Sequence, residues 1–486
     1  MPTIILAMLL TAAGLVDAVK SGDRAAVLAL LQQKVNVNSP ESDGTTALHW
    51  AVQKDDADLV DRLIKAGANV NAKNDYGSTP MSEAAINGDA AIIDRLLKAG
   101  ASVESPNPDG QTALMIIART NNVDAARLLL SRGANVNATE KWREQTPLMW
   151  AAAEGQAAMV NELVAHGANV NARSHINDWE RQVTAEARAI ARPAGGLTPL
   201  LYVARQGCLA CAKSLVEGGA DLNLADPDNV SPLLLSILNM NFDVAGYLIQ
   251  KGANVDKWDW WGQNPVYAAV DVNTIPHGGR PDRPSLDETT SLQVLQMLLD
   301  KGANPNLQLK LLPPYRNLGA DRGVDGMLTI GTTPLLRAAK GLDAPAIKLL
   351  LEHGANPNLP NTRGFVPIVA AAGVGSSDAD TRGWFKTEDV QQRAVASLDL
   401  LLKAGGNVNA TDTQGKSLLH GAAFWGWNDV VQYLVDHGAN LNAKDNRGFN
   451  VVDTALGKAG GNSRGGQRID VHQETADLLK KLMETR

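Results

Sequence analysis

The chain has 486 residues, with 45 Lys and Arg against 52 Asp and Glu and a net charge of −7. Opposite charges are interleaved and no block of Lys or Arg occurs, which argues against nucleic acid as a principal partner, because neutralising phosphates takes a basic stripe. No apolar run reaches the ~18–20 residues of a membrane span.

In chain order, Thr3 to Leu10 is a continuous apolar run, and the small residues Thr11 and Ala13 suit cleavage before Gly14. Residues 1–13 therefore read as a secretory signal peptide, although the usual basic start is missing. On that reading the mature protein is periplasmic or secreted; it is cytoplasmic if the segment is an apolar flank to the first helix. Leu15 to Asn38 reads as a degenerate helix pair closing one end of an array. From there a phrase of the Thr-Pro-Leu-His type recurs, usually every 33 residues, starting at Thr46, Thr79, Thr112, Thr146, Thr198, Ser231, Asn264, Thr333, Val366, Ser417 and Asn450. A Gly-Ala-Asn-Val-Asn type phrase marks the other end of the unit, as at Gly67–Asn71, Gly133–Asn137, Gly167–Asn171, Gly354–Asn358 and Gly438–Asn442.

One unit, Gly77 to Asn107, shows the local logic. Thr79 can cap free backbone donors and Pro80 suits the first helical position, so a short helix to about Ile86 is expected. Asn87-Gly88-Asp89 breaks it. A second helix, Ala90 to Lys98, follows with Ile92, Ile93, Leu96 and Leu97 at helical spacing. Ala99-Gly100 ends that helix, and Ser105 to Gly110 supplies turn chemistry for a projecting finger. A helix pair of this kind buries its apolar side only by stacking on the next. The period and both phrases together resemble the ankyrin repeat, over nearly the whole chain. The resemblance implies an all-α solenoid of about twelve helix–turn–helix units with β-hairpin fingers, spanning 14–486, and a fold whose usual business is binding other proteins. Ala476 to Met483 closes the far end.

Register breaks locate inserts near 175–196, 272–289, 307–331, 373–389 and 457–468. Those between helices bring Arg280, Arg283, Arg382, Arg464 and Arg468, and the one in an enlarged finger brings Tyr315 and Arg316. Inserts fall where a stack tolerates them, often on a binding side, and a small ligand held there is an open alternative to neutral loops.

The two cysteines form one C-x-x-C, Cys208 and Cys211, in register with the start of a second helix. A disulfide, a pair of reduced packing thiols and a redox couple all fit. Haem attachment does not, because Ala212 stands where a histidine is needed, and zinc would lack two ligands. Register also removes most histidines from a catalytic reading. His49 and His420 fill the fourth position of the first phrase, which in the family ties helix to finger. His166, His353 and His437 sit at helix ends, where a cation is favoured. Only His175, His277 and His472 are left over, and no nucleophile elbow, phosphate loop or metal helix accompanies them. No catalytic residue, metal or cofactor is expected.

Tryptophan is unusually frequent, ten against five phenylalanines. Trp50 and Trp150 are expected to pack within the stack. Trp258, Trp260 and Trp261 share one finger, Trp384 lies in an insert, and Phe424 and Trp425 take positions that face the concave groove in the family. Exposed aromatics are typical interface anchors, with packing under the inserts as the alternative. The reading is a non-catalytic binding scaffold, an exported bacterial protein, whose C-terminal half carries the site: Trp258, Trp260, Trp261, Arg280, Arg283, Tyr315, Arg316, Trp384, Phe424 and Trp425. A redox or enzyme-accessory role through Cys208 and Cys211 is the alternative.

Overall fold

The computed structural model describes residues 14–181, 192–274, 285–311, 327–376, 387–458 and 470–485. It divides into two compact units, Met1–Asn177 with Ala194–Pro227, and Asp178–Pro193 with Asp228–Arg486. Each is a stack of antiparallel helix pairs.

In the first unit the inner helices are α1 (Leu15–Ser21), α3 (Ala47–Gln53), α5 (Pro80–Asn87), α7 (Ala113–Thr120), α9 (Pro147–Ala153) and α11 (Pro199–Gln206). Their outer partners are α2 (Arg24–Gln32), α4 (Ala57–Lys65), α6 (Ala90–Lys98), α8 (Val123–Ser131), α10 (Ala157–Ala165) and α12 (Leu209–Glu217). The recurring threonine starts the inner helices: Thr79, Thr112, Thr146 and Thr198 each accept the backbone N–H three residues on. Aspartate or asparagine starts the outer ones, at Asp23, Asp56, Asp89 and Asn122. Gly67 and Gly100, both at φ 90°, take the left-handed turn after the outer helices that a side chain would resist. Leu48, Leu63, Met81, Ile92, Leu96, Leu114 and Leu129 are at most 1% exposed, each contributing roughly 1.5–3 kcal/mol of burial. Helices α9 and α10 pack on α11 and α12, so the stack runs on across the insert between them. At the base of that insert β1 (Ile176–Asn177) pairs antiparallel with β2 (Ala194–Gly195).

The second unit continues the pattern with inner helices α13 (Pro232–Leu238), α15 (Pro265–Thr274), α17 (Pro334–Lys340), α19 (Pro367–Ala371), α21 (Leu418–Trp425) and α23 (Val451–Ala455). The outer helices are α14 (Phe242–Gln250), α16 (Ser291–Asp300), α18 (Ala344–Glu352), α20 (Val390–Lys403), α22 (Asn428–Asp436) and α24 (Gln473–Thr485). Helix α20 has 14 residues where α18 has 9, because the sequence following the 373–389 insert starts the helix early.

The fingers are tighter than the β-hairpins expected. Among the described residues β1 and β2 form one two-stranded sheet, and Thr411–Ser417 and Lys444–Asn450 form isolated bridges. The other fingers are turns held by a side chain: Asn74 Oδ1 accepts from the N–H groups of Tyr76 and Ser78. A single backbone bond, Asp75 N–H to Asp43 O at 2.8 Å, joins one finger to the next.

Candidate protein-binding sites

The first unit holds a cleft of about 470 Å³ where three inner helices meet two fingers. Tyr76 walls it from a finger tip; Ile86, Ile116, Arg119, Trp150 and Glu154 come from α5, α7 and the end of α9. These positions are consequences of register. Trp150 stands four residues, and Ile86 and Arg119 seven residues, after the threonine that starts each helix, so one helical face presents them all. The cleft is aromatic and open: Tyr76 is 75% exposed and Ile86 57%. The Trp150 indole N–H is buried without an acceptor, while the Arg119 guanidinium lies 5.3 Å from the ring centroid and 3.8 Å from Glu154. Trp142, on the next finger, is 80% exposed. The first unit thus carries an aromatic surface of the kind expected in the C-terminal half, and Trp150, expected to pack within the stack, also walls this cleft. Trp50 is different: its N–H donates to Glu41 at 2.8 Å, and Lys20 both bonds that carboxylate and covers the ring. The Lys20 hydrogen bond, with that of Trp50, holds the Glu41 carboxyl below its ordinary value.

In the second unit the tryptophan finger is covered by cations. Lys310 lies over Trp258, Arg181 over Trp260 at 4.2 Å and Arg192 over Trp261 at 5.4 Å. Arg181 and Arg192, which flank the undescribed residues 182–191, both bond Asp228, at 2.5 and 3.0 Å. Trp261 is 9% exposed, so the expectation of an exposed anchor fails there: the ring is sunk beside its own finger and under Arg192. Trp258 and Trp260 keep 42% and 44% exposure. Phe424 is exposed, whereas Trp425 is tied down, its N–H donating to Gly373 O at 3.0 Å and its ring stacked on Trp427. That pairing uses the indole for packing. Arg280, Arg283, Tyr315, Arg316 and Trp384 lie outside the described residues, as do Arg382, Arg464 and Arg468.

A second feature was not foreseen. Arg337, the register counterpart of Trp50 and Trp150, is 1% exposed and pairs with Asp271, the counterpart of Ile86, at 2.5 Å. Positions that line an open groove in the first unit are therefore buried and charged in the second. The signal was present in the sequence, as charges seven and four residues after the first residues of two consecutive phrases, Asn264 and Thr333, but composition alone gave no reason to pair them.

The histidines do structural work. His49 Nδ1 meets the Thr46 N–H and hydroxyl at 3.2 and 2.9 Å, and its Nε2 reaches Ser78 O at 3.2 Å; His420 repeats this with Ser417 and Phe449. Burial holds both rings below the ordinary histidine pKa. His166, His353 and His437 each turn Nδ1 onto the carbonyl four residues back, at the end of an outer helix. Cys208 and Cys211 are joined by a disulfide. Among the described residues no group of three His, Cys, Asp or Glu side chains could hold a metal, and no helix is long and apolar enough to cross a membrane.

The comparisons with known proteins agree with this architecture. Residues 15–107, 82–174 and 183–275 match the family model for ankyrin repeats in three copies, and 330–362 and 414–446 match that for the single ankyrin repeat. The ankyrin repeat protein nuc-2 of Neurospora crassa is 28% identical over 188 residues, 37% of this chain and 17% of that protein. The human transient receptor potential cation channel subfamily A member 1 is 23% identical over 63% of this chain and 28% of its own length. The putative ankyrin repeat protein YahD of Escherichia coli is 29% identical over 35% of this chain and 87% of its own. The chain thus spans well under a third of the first two relatives. The ankyrin repeat domain of Bcl-3 aligns with 47% of this chain and 96% of its own at 28% identity and a TM-score of 0.39. With family models matching more than half of its residues, the chain belongs to the ankyrin-repeat family.

Proposed function

We propose that this protein is a non-catalytic scaffold that captures a protein partner in the groove of its first unit, with the Trp258–Trp260 finger and Phe424 of the second unit as a further contact surface. Ankyrin repeats are in general protein-interaction modules, and their fold is typically non-catalytic. The observation that carries the finer reading is the open cleft walled by Tyr76, Ile86, Ile116 and Trp150. An apolar or aromatic partner side chain filling the cleft would match it, with Arg119 and Glu154 at its rim to bond the partner's polar groups. About twelve units form the scaffold on this reading, and export through residues 1–13 places it in the periplasm or outside the cell. A redox or accessory-enzyme role as the main function has no support from the relatives.

The test is affinity. A peptide selected from a displayed library against the full chain should bind through the cleft, and Tyr76→Ala combined with Trp150→Ala should weaken it at least ~30-fold. That figure follows from about 2 kcal/mol for a truncated aromatic anchor. Unchanged affinity in a variant of unchanged melting temperature would remove the cleft from the account.

A further inference from the structure

Cys208 occupies the position that starts an outer helix, where Asp23, Asp56, Asp89, Asn122 and Asp343 put a side-chain oxygen. Its sulfur takes over that role, accepting the N–H of Cys211 at 3.1 Å. Three residues after those five caps stand Ala26, Leu59, Ile92, Ala125 and Ala346, none of which can react with its cap. This chain, with two cysteines in 486 residues, has placed both of them on one such cap. The two sulfurs differ in access: Cys208 is half-buried and Cys211 fully buried. A backbone N–H and the positive end of the nine-residue helix α12 both stabilise a thiolate on Cys208.

We propose that Cys208–Cys211 is a reversible two-electron redox site whose exchanging sulfur is Cys208 and whose co-reactants are small dithiols or dithiol proteins. In reduction, a thiolate of the dithiol attacks Cys208 Sγ, the S–S bond breaks, and Cys211 leaves as a thiolate that takes up a proton. The dithiol's second thiolate then attacks its own sulfur in the mixed disulfide. Cys208 departs as a thiolate, held by the Cys211 N–H until it is protonated, and the reagent leaves as its disulfide. Two electrons and two protons pass to the protein. Oxidation runs the same steps backwards with a disulfide reagent. Because the cap needs only the Cys208 sulfur, which reduction leaves on the same side chain, the helix should survive the cycle, which sets this pair apart from a disulfide that the fold depends on. The site also lies 3.6 Å from Gly155 O, in the turn that follows the cleft residue Glu154.

The experiment equilibrates the native full-length chain with graded ratios of reduced to oxidised dithiothreitol. It is then acid-quenched, alkylated and weighed by mass spectrometry, with circular dichroism recorded at both ends. Full reduction and full reoxidation without denaturant, at constant helical signal, is the expected result. In the single variants, Cys208 in Cys211→Ser should react with iodoacetamide at pH 7 at least tenfold faster than Cys211 in Cys208→Ser. A pair that is reduced only in denaturant, loss of helix on reduction, or equal or reversed alkylation rates would each overturn the assignment.

Discussion

Asparagine side chains stitch neighbouring repeats together, and they explain the Gly-Ala-Asn-Val-Asn phrase. Asn71 donates to Gly100 O at 3.0 Å and accepts from the Ser102 N–H at 2.8 Å; Asn171 does the same with Gly219 and Asp221 across an insert. Asn306, Asn358 and Asn409 donate likewise to Gly354, Gly405 and Gly438 in the second unit. Where Glu104 replaces the asparagine, its carboxylate still accepts from Asn135 N–H at 2.6 Å. Two net hydrogen bonds of about 1 kcal/mol each are at stake. Asn171→Ala should therefore lower unfolding free energy by ~1–2 kcal/mol, read from the urea midpoint, with Asn171→Asp recovering the accepting half. The histidine ties set a pH dependence. His49 and His420 are held below their ordinary value of 6.5 by burial, so the unfolded chain binds more protons than the folded one just below that pH. Their contribution is fully present above pH 6.5 and is lost as pH falls through the lowered folded values. The melting temperature should fall between pH 7 and pH 5, and His49→Gln with His420→Gln should flatten the slope.

At the scale of elements, the periodic signals made the helices legible: a threonine cap, a proline in the first turn, a glycine at the left-handed end. Each acts within four residues, so sequence proximity carried the information. The fingers were overread, because turns closed by one Asn or Asp side chain, as at Asn74, carry the same Gly-rich signature as short hairpins. The Arg337–Asp271 pair bridges α17 and α15, 66 residues apart, and nothing local announces it. Removing one member of a buried pair strands the other charge at a cost of about 3–5 kcal/mol, whereas replacing both by apolar residues is often neutral. Asp271→Ala should thus destabilise the second unit strongly, and Asp271→Leu with Arg337→Met should recover most of the loss. A double variant no better than Asp271→Ala would mean that the pair's geometry, and not its charge, organises these two helices.

At the scale of the molecule, tryptophan count drew attention to the C-terminal half, while the open aromatic cleft lies in the first unit. The reason is physical. The cleft is assembled from α5, α7, α9 and two fingers, so its residues are spread from Tyr76 to Glu154 and none is unusual for its own repeat. Composition instead pointed to Trp261 and Trp425, which the structure spends on packing. The proposed function puts the partner in this cleft. Its most direct measurement is site-specific photo-crosslinking in the native cell, with a benzophenone amino acid replacing Ile86 in the cleft or Asp124 on outer helix α8. The account predicts a discrete crosslinked band from position 86, abolished by Tyr76→Ala with Trp150→Ala, and none from 124. Crosslinking from position 124 alone, or a band at 86 indifferent to that double variant, would contradict it.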